Sequence, residues 1–157
     1  MIRSARPDDR EILREVQTHL REPNPSLLDY AVDGPPLTLV STARRFAPRN
    51  RSGEERPATA PDDTPVGYLV AFHDEEAGYV AEIVVAPDHR REGRARRLLA
   101  ATFDRLRDRG CSRIRLAVHP DNDAARTLYE SLGFEEVGRE EGHYEDGSDG
   151  IVMGRDL

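Results

Sequence analysis

Val85-Ala86-Pro87-Asp88-His89-Arg90-Arg91-Glu92-Gly93-Arg94-Ala95 is the stretch whose reading decides the fold. Before it, Gly78 to Ala86 is rich in β-branched and aromatic residues and reads as a strand aimed at Pro87. After it the apolar period becomes helical, with Leu98, Leu99, Thr102, Phe103 and Leu106 on one face until Gly110 stops the helix. Strand, loop, then helix start leaves unpaired backbone N–H groups and the positive end of the helix dipole facing an incoming anion. Gly93 and Ala95 leave that backbone open to close approach, and Arg90, Arg91, Arg94, Arg96 and Arg97 crowd it against one acid, Glu92. On composition alone, a solvated helix face with arginines paired to carboxylates is an equal reading. The loop has neither the three spaced glycines of a dinucleotide-binding turn nor the Gly-Lys-Ser/Thr of a P-loop.

Working outward, Ile2 to Arg6 reads as a short strand, and Pro7-Asp8-Asp9 opens a helix with Ile12, Leu13, Val16 and Leu20 at helical spacing. A second short helix is expected around Ser26 to Val32, before a strand Leu37 to Ser41. Residues 47–65 are rich in Pro, Arg, Glu, Asp and Ser, with too little apolar surface to offset the entropy of ordering them. They read as a flexible hairpin insertion, with a substrate-gating loop as the alternative. Val66 to Phe72 pairs with Gly78 to Ala86 across the acidic turn His73 to Ala77. Downstream, Ile114, Leu116 and Val118 alternate as a strand, a helix runs from Asp121 to Leu132 into Gly133, and Phe134 to Arg139 and Ile151 to Arg155 close the chain as strands. This order predicts one α/β (α+β) domain over 1–157: a mixed, mostly antiparallel central sheet of about six to seven strands flanked by helices.

The chain has 157 residues, a size for one domain, and a formal charge of -7. All 23 basic residues are Arg, against 30 acids, which argues against a nucleic-acid partner because non-specific binding comes from Lys and Arg neutralising phosphates. Such a balance suits a surface kept hydrated by carboxylates in a salt-rich cytoplasm, with codon usage as the competing explanation. Cys111 is the only cysteine, and no apolar run of signal-peptide or membrane-span length is present, so a cytoplasmic protein with no membrane partner is expected, as monomer or homodimer. His19, His73, His89, His119 and His143 are scattered without ligand spacing, so no metal is expected.

Val85 to Ala95 resembles the acetyl-CoA signature of the GNAT superfamily, Arg/Gln-x-x-Gly-x-Gly/Ala after a Val-x-Pro strand end. Asn122-x-x-Ala125-x-x-x-Tyr129-x-x-x-Gly133-Phe134 is similar to that superfamily's C-terminal helix motif, and the two blocks cover about residues 79–138. The resemblance implies the GNAT acyl-CoA N-acyltransferase fold, acetyl-CoA as cofactor and direct attack by a primary amine in a ternary complex. It implies that backbone amides of Arg91, Glu92, Gly93, Arg94, Ala95 and Arg96, next to Arg90, hold the pyrophosphate. It also implies that Ile83, Val84 and Val85 bind pantetheine as an added strand would, with Asn122 and Ala125 beside the pantetheine arm. Tyr129 would stand near the sulfur, where a phenol of pKa about 10 can donate to a thiolate of about 8.5. An amide around Val85, freed by a bulge, would meet the carbonyl oxygen.

Ile83-Val84-Val85-Ala86-Pro87 and Leu128-Tyr129-Glu130-Ser131-Leu132-Gly133-Phe134 most resemble the branch that acetylates protein N-termini, including ribosomal-protein alanine acetyltransferases. That branch often carries a Glu five residues before the motif Asn; Ala117 stands there in this chain and takes no proton. Glu82 is the first substitute as general base and His119 the second, its reference pKa of about 6.5 suiting the task. The acceptor expected is a protein N-terminus or a small-molecule amine. The alternative is an acyl-CoA-binding module of the same fold with little turnover.

Overall fold

The computed structural model describes residues 1–43 and 64–157. The insertion expected at 47–65 lies outside the described residues except at its end, where Thr64 and Pro65 already belong to a strand. The elements are β1 (Ile2–Ser4), α1 (Arg10–Gln17) after a 3-10 turn at Pro7–Asp9, α2 (Pro25–Asp33), β2 (Leu37–Ala43), β3 (Thr64–His73), β4 (Ala77–Val85), α3 (Arg94–Asp108), β5 (Arg113–Val118), α4 (Asp123–Ser131), β6 (Glu135–Glu140) and β7 (Gly150–Asp156). Seven strands form one sheet in the order β1-β2-β3-β4-β5-β7-β6, antiparallel at every junction except β4–β5. The mixed, mostly antiparallel sheet expected from the sequence is therefore present. Only β4-α3-β5 makes a parallel crossover between neighbours; after α4 the chain goes out to edge strand β6, and β7 returns between β5 and β6.

Each face of the sheet buries its own cluster. Under α3 and α4, Leu98, Leu99 and Leu106 at 0% exposure meet Leu39, Leu69, Ile114 and Leu116, each leucine contributing about 1.5–3 kcal/mol. Under α1 and α2, Leu13, Val16 and Leu28 meet Val40, Tyr68, Val70 and Val84. The α1 stripe is interrupted by one polar residue, Gln17, which is nevertheless buried.

The helix signals act as their chemistry requires. Asn24 caps α2 by accepting from the Leu27 amide, and Asn122 caps α4 by accepting from the Ala125 amide. At the end of α4, Gly133 adopts φ 88. The amide of Phe134 then reaches the Tyr129 carbonyl, and that of Gly133 reaches Glu130. This double closure needs a left-handed residue. It explains the Tyr129-x-x-x-Gly133-Phe134 spacing and seats the Phe134 ring 5.8 Å from the Tyr129 ring.

Candidate active site

Beyond the pair Val80↔Leu116 the parallel strands part: β5 keeps β7 at its other edge to Val118, while β4 runs on to Val85 with no partner on the β5 side among the described residues. The parting begins at a bulge. On β3, Val70 faces Glu82 but Ala71 faces Val80, so Ala81 is an extra residue in β4, and a bulge bends and twists the strand that carries it. The bulge expected around Val85 is thus at Ala81. Val85 stays in the ladder opposite Gly67, the next amide, Ala86, bonds Val66, and the Val85 carbonyl accepts from Arg90 Nε at 2.9 Å.

The gap opens into a cleft of about 200 Å³. Its walls are β4 (Tyr79 to Ile83), the end of β5 (Leu116 to His119) and α4 (Asn122, Tyr129). The α1–α2 loop (Leu20 to Glu22) and the β6–β7 loop (His143, Tyr144) complete its lining. The two loops are joined where Glu22 accepts from the Glu145 amide and where Arg21 faces Asp146 at 3.9 Å.

Glu82 reaches the gap from the α1–α2 face, 9% exposed. Burial raises its pKa above the usual glutamate value, and hydrogen bonds from Gln17 and Tyr68 pull it part of the way back. Tyr129 reaches the same cleft from the opposite face, 6% exposed, its pKa pushed up to about 12, first by burial and then by Tyr144. A carboxylate and a phenol from opposite faces of a sheet share a space only because β4 and β5 separate there.

His119 lines the cleft, but both ring nitrogens are engaged: Nδ1 accepts from the Asp121 amide at 3.1 Å and Nε2 meets Asp146 at 2.9 Å. Its ring packs on Tyr144 with centroids 4.7 Å apart. With the Nδ1 lone pair occupied, His119 ties the β6–β7 loop to the end of β5. Ala117 also lines the cleft and presents only a methyl group.

The arginine-rich turn lies outside the cleft. Arg91 (φ 63) and Gly93 (φ 74) are both left-handed, and Gly93 caps α3. For Arg91 that conformation costs about 1–2 kcal/mol, and strain of this kind collects at functional sites. The first amides of α3 have no intrahelical acceptor; Arg97 is the first to bond back, to the Gly93 carbonyl. The side chains divide. Arg90 holds Val85; Arg94 is spent on Ser41 Oγ and the Thr42 carbonyl, both at 3.0 Å, and on Glu92; Arg96 reaches Ser131 Oγ at 2.8 Å. Among the described residues, Arg91 is exposed with no side-chain partner. A diphosphate fits the turn through its amides, with Arg91 beside it. Ile83 lines the cleft, Val84 is buried on the α1–α2 face, and Ala125 packs against the α3–α4 core.

Sequence reading missed Gln17, Tyr68, Tyr79, Glu22 and Tyr144. Only Gln17 left a signal, as a polar residue in an apolar stripe.

Among solved structures, that of the ribosomal-protein-S18-alanine N-acetyltransferase from Escherichia coli superimposes with a TM-score of 0.78 at 23% identity, covering 100% of this chain and 93% of the other. Arabidopsis thaliana NAA60 in complex with acetyl-CoA gives 0.82 at 18% identity, covering 100% and 98%. At these identities the likeness is one of fold. By sequence, the [ribosomal protein bS18]-alanine N-acetyltransferase of Escherichia coli is 43% identical over 74 residues, 45% of this chain and 50% of the relative. N-alpha-acetyltransferase 30 of Schizosaccharomyces pombe is 36% identical over 72 residues, 46% and 48%. The chain thus spans about half the length of the curated relatives it matches. Residues 13–134, from the first buried leucine of α1 to the phenylalanine that closes α4, match the sequence model of the acetyltransferase (GNAT) family, and with the split sheet and the left-handed turn before α3 this establishes that the chain belongs to that family.

Proposed function

We propose that this chain is an N-acetyltransferase that takes the acetyl group of acetyl-CoA and passes it to a primary amine, with a protein N-terminus as the favoured acceptor. The observation that carries the proposal is the parting of β4 and β5 after Val80 and Leu116, which puts Glu82 and Tyr129 in one cleft. When bound, acetyl-CoA supplies a thioester whose carbonyl the amine attacks. The amides from Arg91 to Arg96 and the Arg91 guanidinium hold its diphosphate, and the free edge of β4 around Ile83 lines the path from that turn to the cleft. Asn122 spends its side-chain oxygen on the α4 cap and keeps its amide N–H groups for the cleft.

The acceptor reaches the cleft past the α1–α2 and β6–β7 loops, where Glu22, Arg21 and Tyr144 line it. Glu82, made more basic by burial, would take the ammonium proton and pass it to solvent; the second N–H proton, lost as the amide forms, would end on the departing sulfur, which the Tyr129 hydroxyl would meet as a hydrogen-bond donor. An α-amino group of pKa about 8 gives up that proton more readily than a lysine side chain of about 10.4, which favours N-terminal acceptors where Ala117 removes a second carboxylate. A cytoplasmic location belongs to the same proposal, supported by a single, buried, unpaired cysteine.

The test is thiol release from acetyl-CoA with a panel of short peptides bearing free N-termini and a panel of small amines, beside calorimetry with coenzyme A. Peptide-dependent release supports the proposal. Tight binding without release across both panels makes the chain an acyl-CoA-binding module instead. Arg91→Glu weakens coenzyme A binding and spares folding, whereas Arg94→Glu loosens the β2 end and lowers Tm; the reverse pattern overturns the amide-and-Arg91 cradle.

A further inference from the structure

On the α1–α2 face of the sheet three polar side chains are buried together: Tyr68 at 0% exposure, Gln17 at 1% and Glu82 at 9%. Burying polar groups is costly unless they are satisfied. These satisfy one another around the carboxylate. Gln17 Nε2 donates to Glu82 Oε1 at 3.0 Å and Oε2 at 3.1 Å, and Tyr68 OH donates to Oε2 at 2.9 Å. Gln17 Nε2 also donates to the Asn24 carbonyl at 2.8 Å, tying the cluster to the cap of α2. The partners are 65 and 14 residues from Glu82 in sequence, so the fold assembles them.

We propose that Gln17 and Tyr68 are positioning residues, which fix the Glu82 carboxylate at the cleft wall and keep it in the ionised form that takes a proton from the incoming amine. This rests on Glu82 being the base. A carboxylate offers about four lone-pair sites; Gln17 Nε2 has two N–H groups, one of them spent on the Asn24 carbonyl, so one N–H shared between the two carboxylate oxygens and the Tyr68 O–H on Oε2 leave Oε1 the less occupied oxygen for a substrate proton. When the ammonium proton moves to a Glu82 oxygen, the N–H electron pair stays on nitrogen and the amine becomes nucleophilic. Tyr68 remains the donor in its bond because burial and the Glu82 charge both raise its own pKa. Burial pushes Glu82 towards the neutral acid, and the two donors oppose that.

The other titratable groups that share the cleft with Glu82 are Arg21 and Glu22 of the α1–α2 loop, Tyr79 on β4 and His119 at the end of β5. Tyr129 on α4 and His143 and Tyr144 on the β6–β7 loop complete the set. None of these hydrogen-bonds Glu82 among the described residues; only Gln17 and Tyr68 do.

The experiment has two arms. The first follows the side-chain carboxyl carbon of Glu82 by NMR against pH in protein labelled at glutamate, assigned by the resonance lost in Glu82→Gln. Tyr68→Phe, which keeps the ring, and Gln17→Met, which keeps the length, each raise the midpoint. The second arm reads kcat/KM against pH with acetyl-CoA and a peptide with a free N-terminal alanine. The acid limb moves up by roughly one pH unit in each variant, a tenfold loss on that limb.

If either variant lowers Tm but leaves both the midpoint and the limb in place, the cluster is only structural and the proposal is overturned. Should Tyr68→Phe fail to fold, Gln17→Met decides by the same readouts. If Glu82→Gln retains full kcat/KM, Glu82 is not the base and the positioning role falls with it, whereas an inactive Glu82→Gln beside unmoved titrations refutes the positioning role alone.

Discussion

On the proposed function, Tyr129→Phe removes the hydroxyl that would meet the departing sulfur. The Tyr129 ring is held by Phe134 and by the glycine closure of α4, and its hydroxyl has no partner among the described residues. Removing the oxygen therefore leaves packing intact, and Tm should hold. The kinetic magnitude follows from burial. A phenol pushed up to about 12 lies about 3.5 units above a thiol of about 8.5, so complete proton transfer to sulfur is uphill by ~5 kcal/mol. On the proposed function, Tyr129 would therefore stabilise the developing charge by hydrogen bonding rather than by complete proton transfer. A hydrogen bond to a charged group contributes about 1.5–3 kcal/mol, so kcat should fall by roughly tenfold to 150-fold. The assay is thiol release with acetyl-CoA and an N-terminal alanine peptide, with coenzyme A affinity measured by calorimetry. Affinity should be unchanged, and wild-type kcat should show no tyrosine-dependent alkaline limb below about pH 11, given a pKa of about 12. An unchanged kcat, a loss of affinity that matches the loss of rate, or an alkaline limb near pH 10 that vanishes in Tyr129→Phe would refute the reasoning.

Gly93→Ala tests the turn: a Cβ would meet only the Arg97 guanidinium at 3.3 Å, a flexible end, so the cost is the φ of 74 itself, about 1–2 kcal/mol of folding stability, read by urea unfolding; an unchanged stability contradicts a left-handed requirement at this position. Glu82→Gln tests the buried carboxylate thermodynamically. Its folded pKa lies above the unfolded one, so wild-type stability is fully present below the unfolded value and is lost as pH rises through the folded value. The Tm advantage of Glu82→Gln should then grow between pH 4 and pH 8, and a constant difference contradicts it. Asp9 has the opposite sign: burial raises its pKa, but the two bonds from Arg3 at 2.7 and 2.9 Å and one from the Arg6 amide outweigh that and lower it. Asp9→Asn should therefore cost about 3 kcal/mol at pH 7, with the deficit shrinking as pH falls below the ordinary aspartate range; urea unfolding at pH 7 and pH 3 measures it.

What could be read from the sequence was what the backbone encodes locally. The change of period at Pro87 and the glycines at 110 and 133 each act within a turn or two, so they located α3, α4 and Tyr129, and the two motifs these elements carry were enough to point to the family. Only the tertiary structure decided what is set by register and by pairing across the sheet. The bulge at Ala81 rather than Val85, the return of β7 between β5 and β6, the diversion of Arg94 to β2, and the capture of both His119 nitrogens depend on residues far apart in the chain. Glu82 shows the difference most plainly. As a sequence position it is one glutamate among many acids; it becomes a candidate base because a strand 14 residues back and a helix 65 residues back deliver two hydrogen-bond donors to it at the place where the sheet opens.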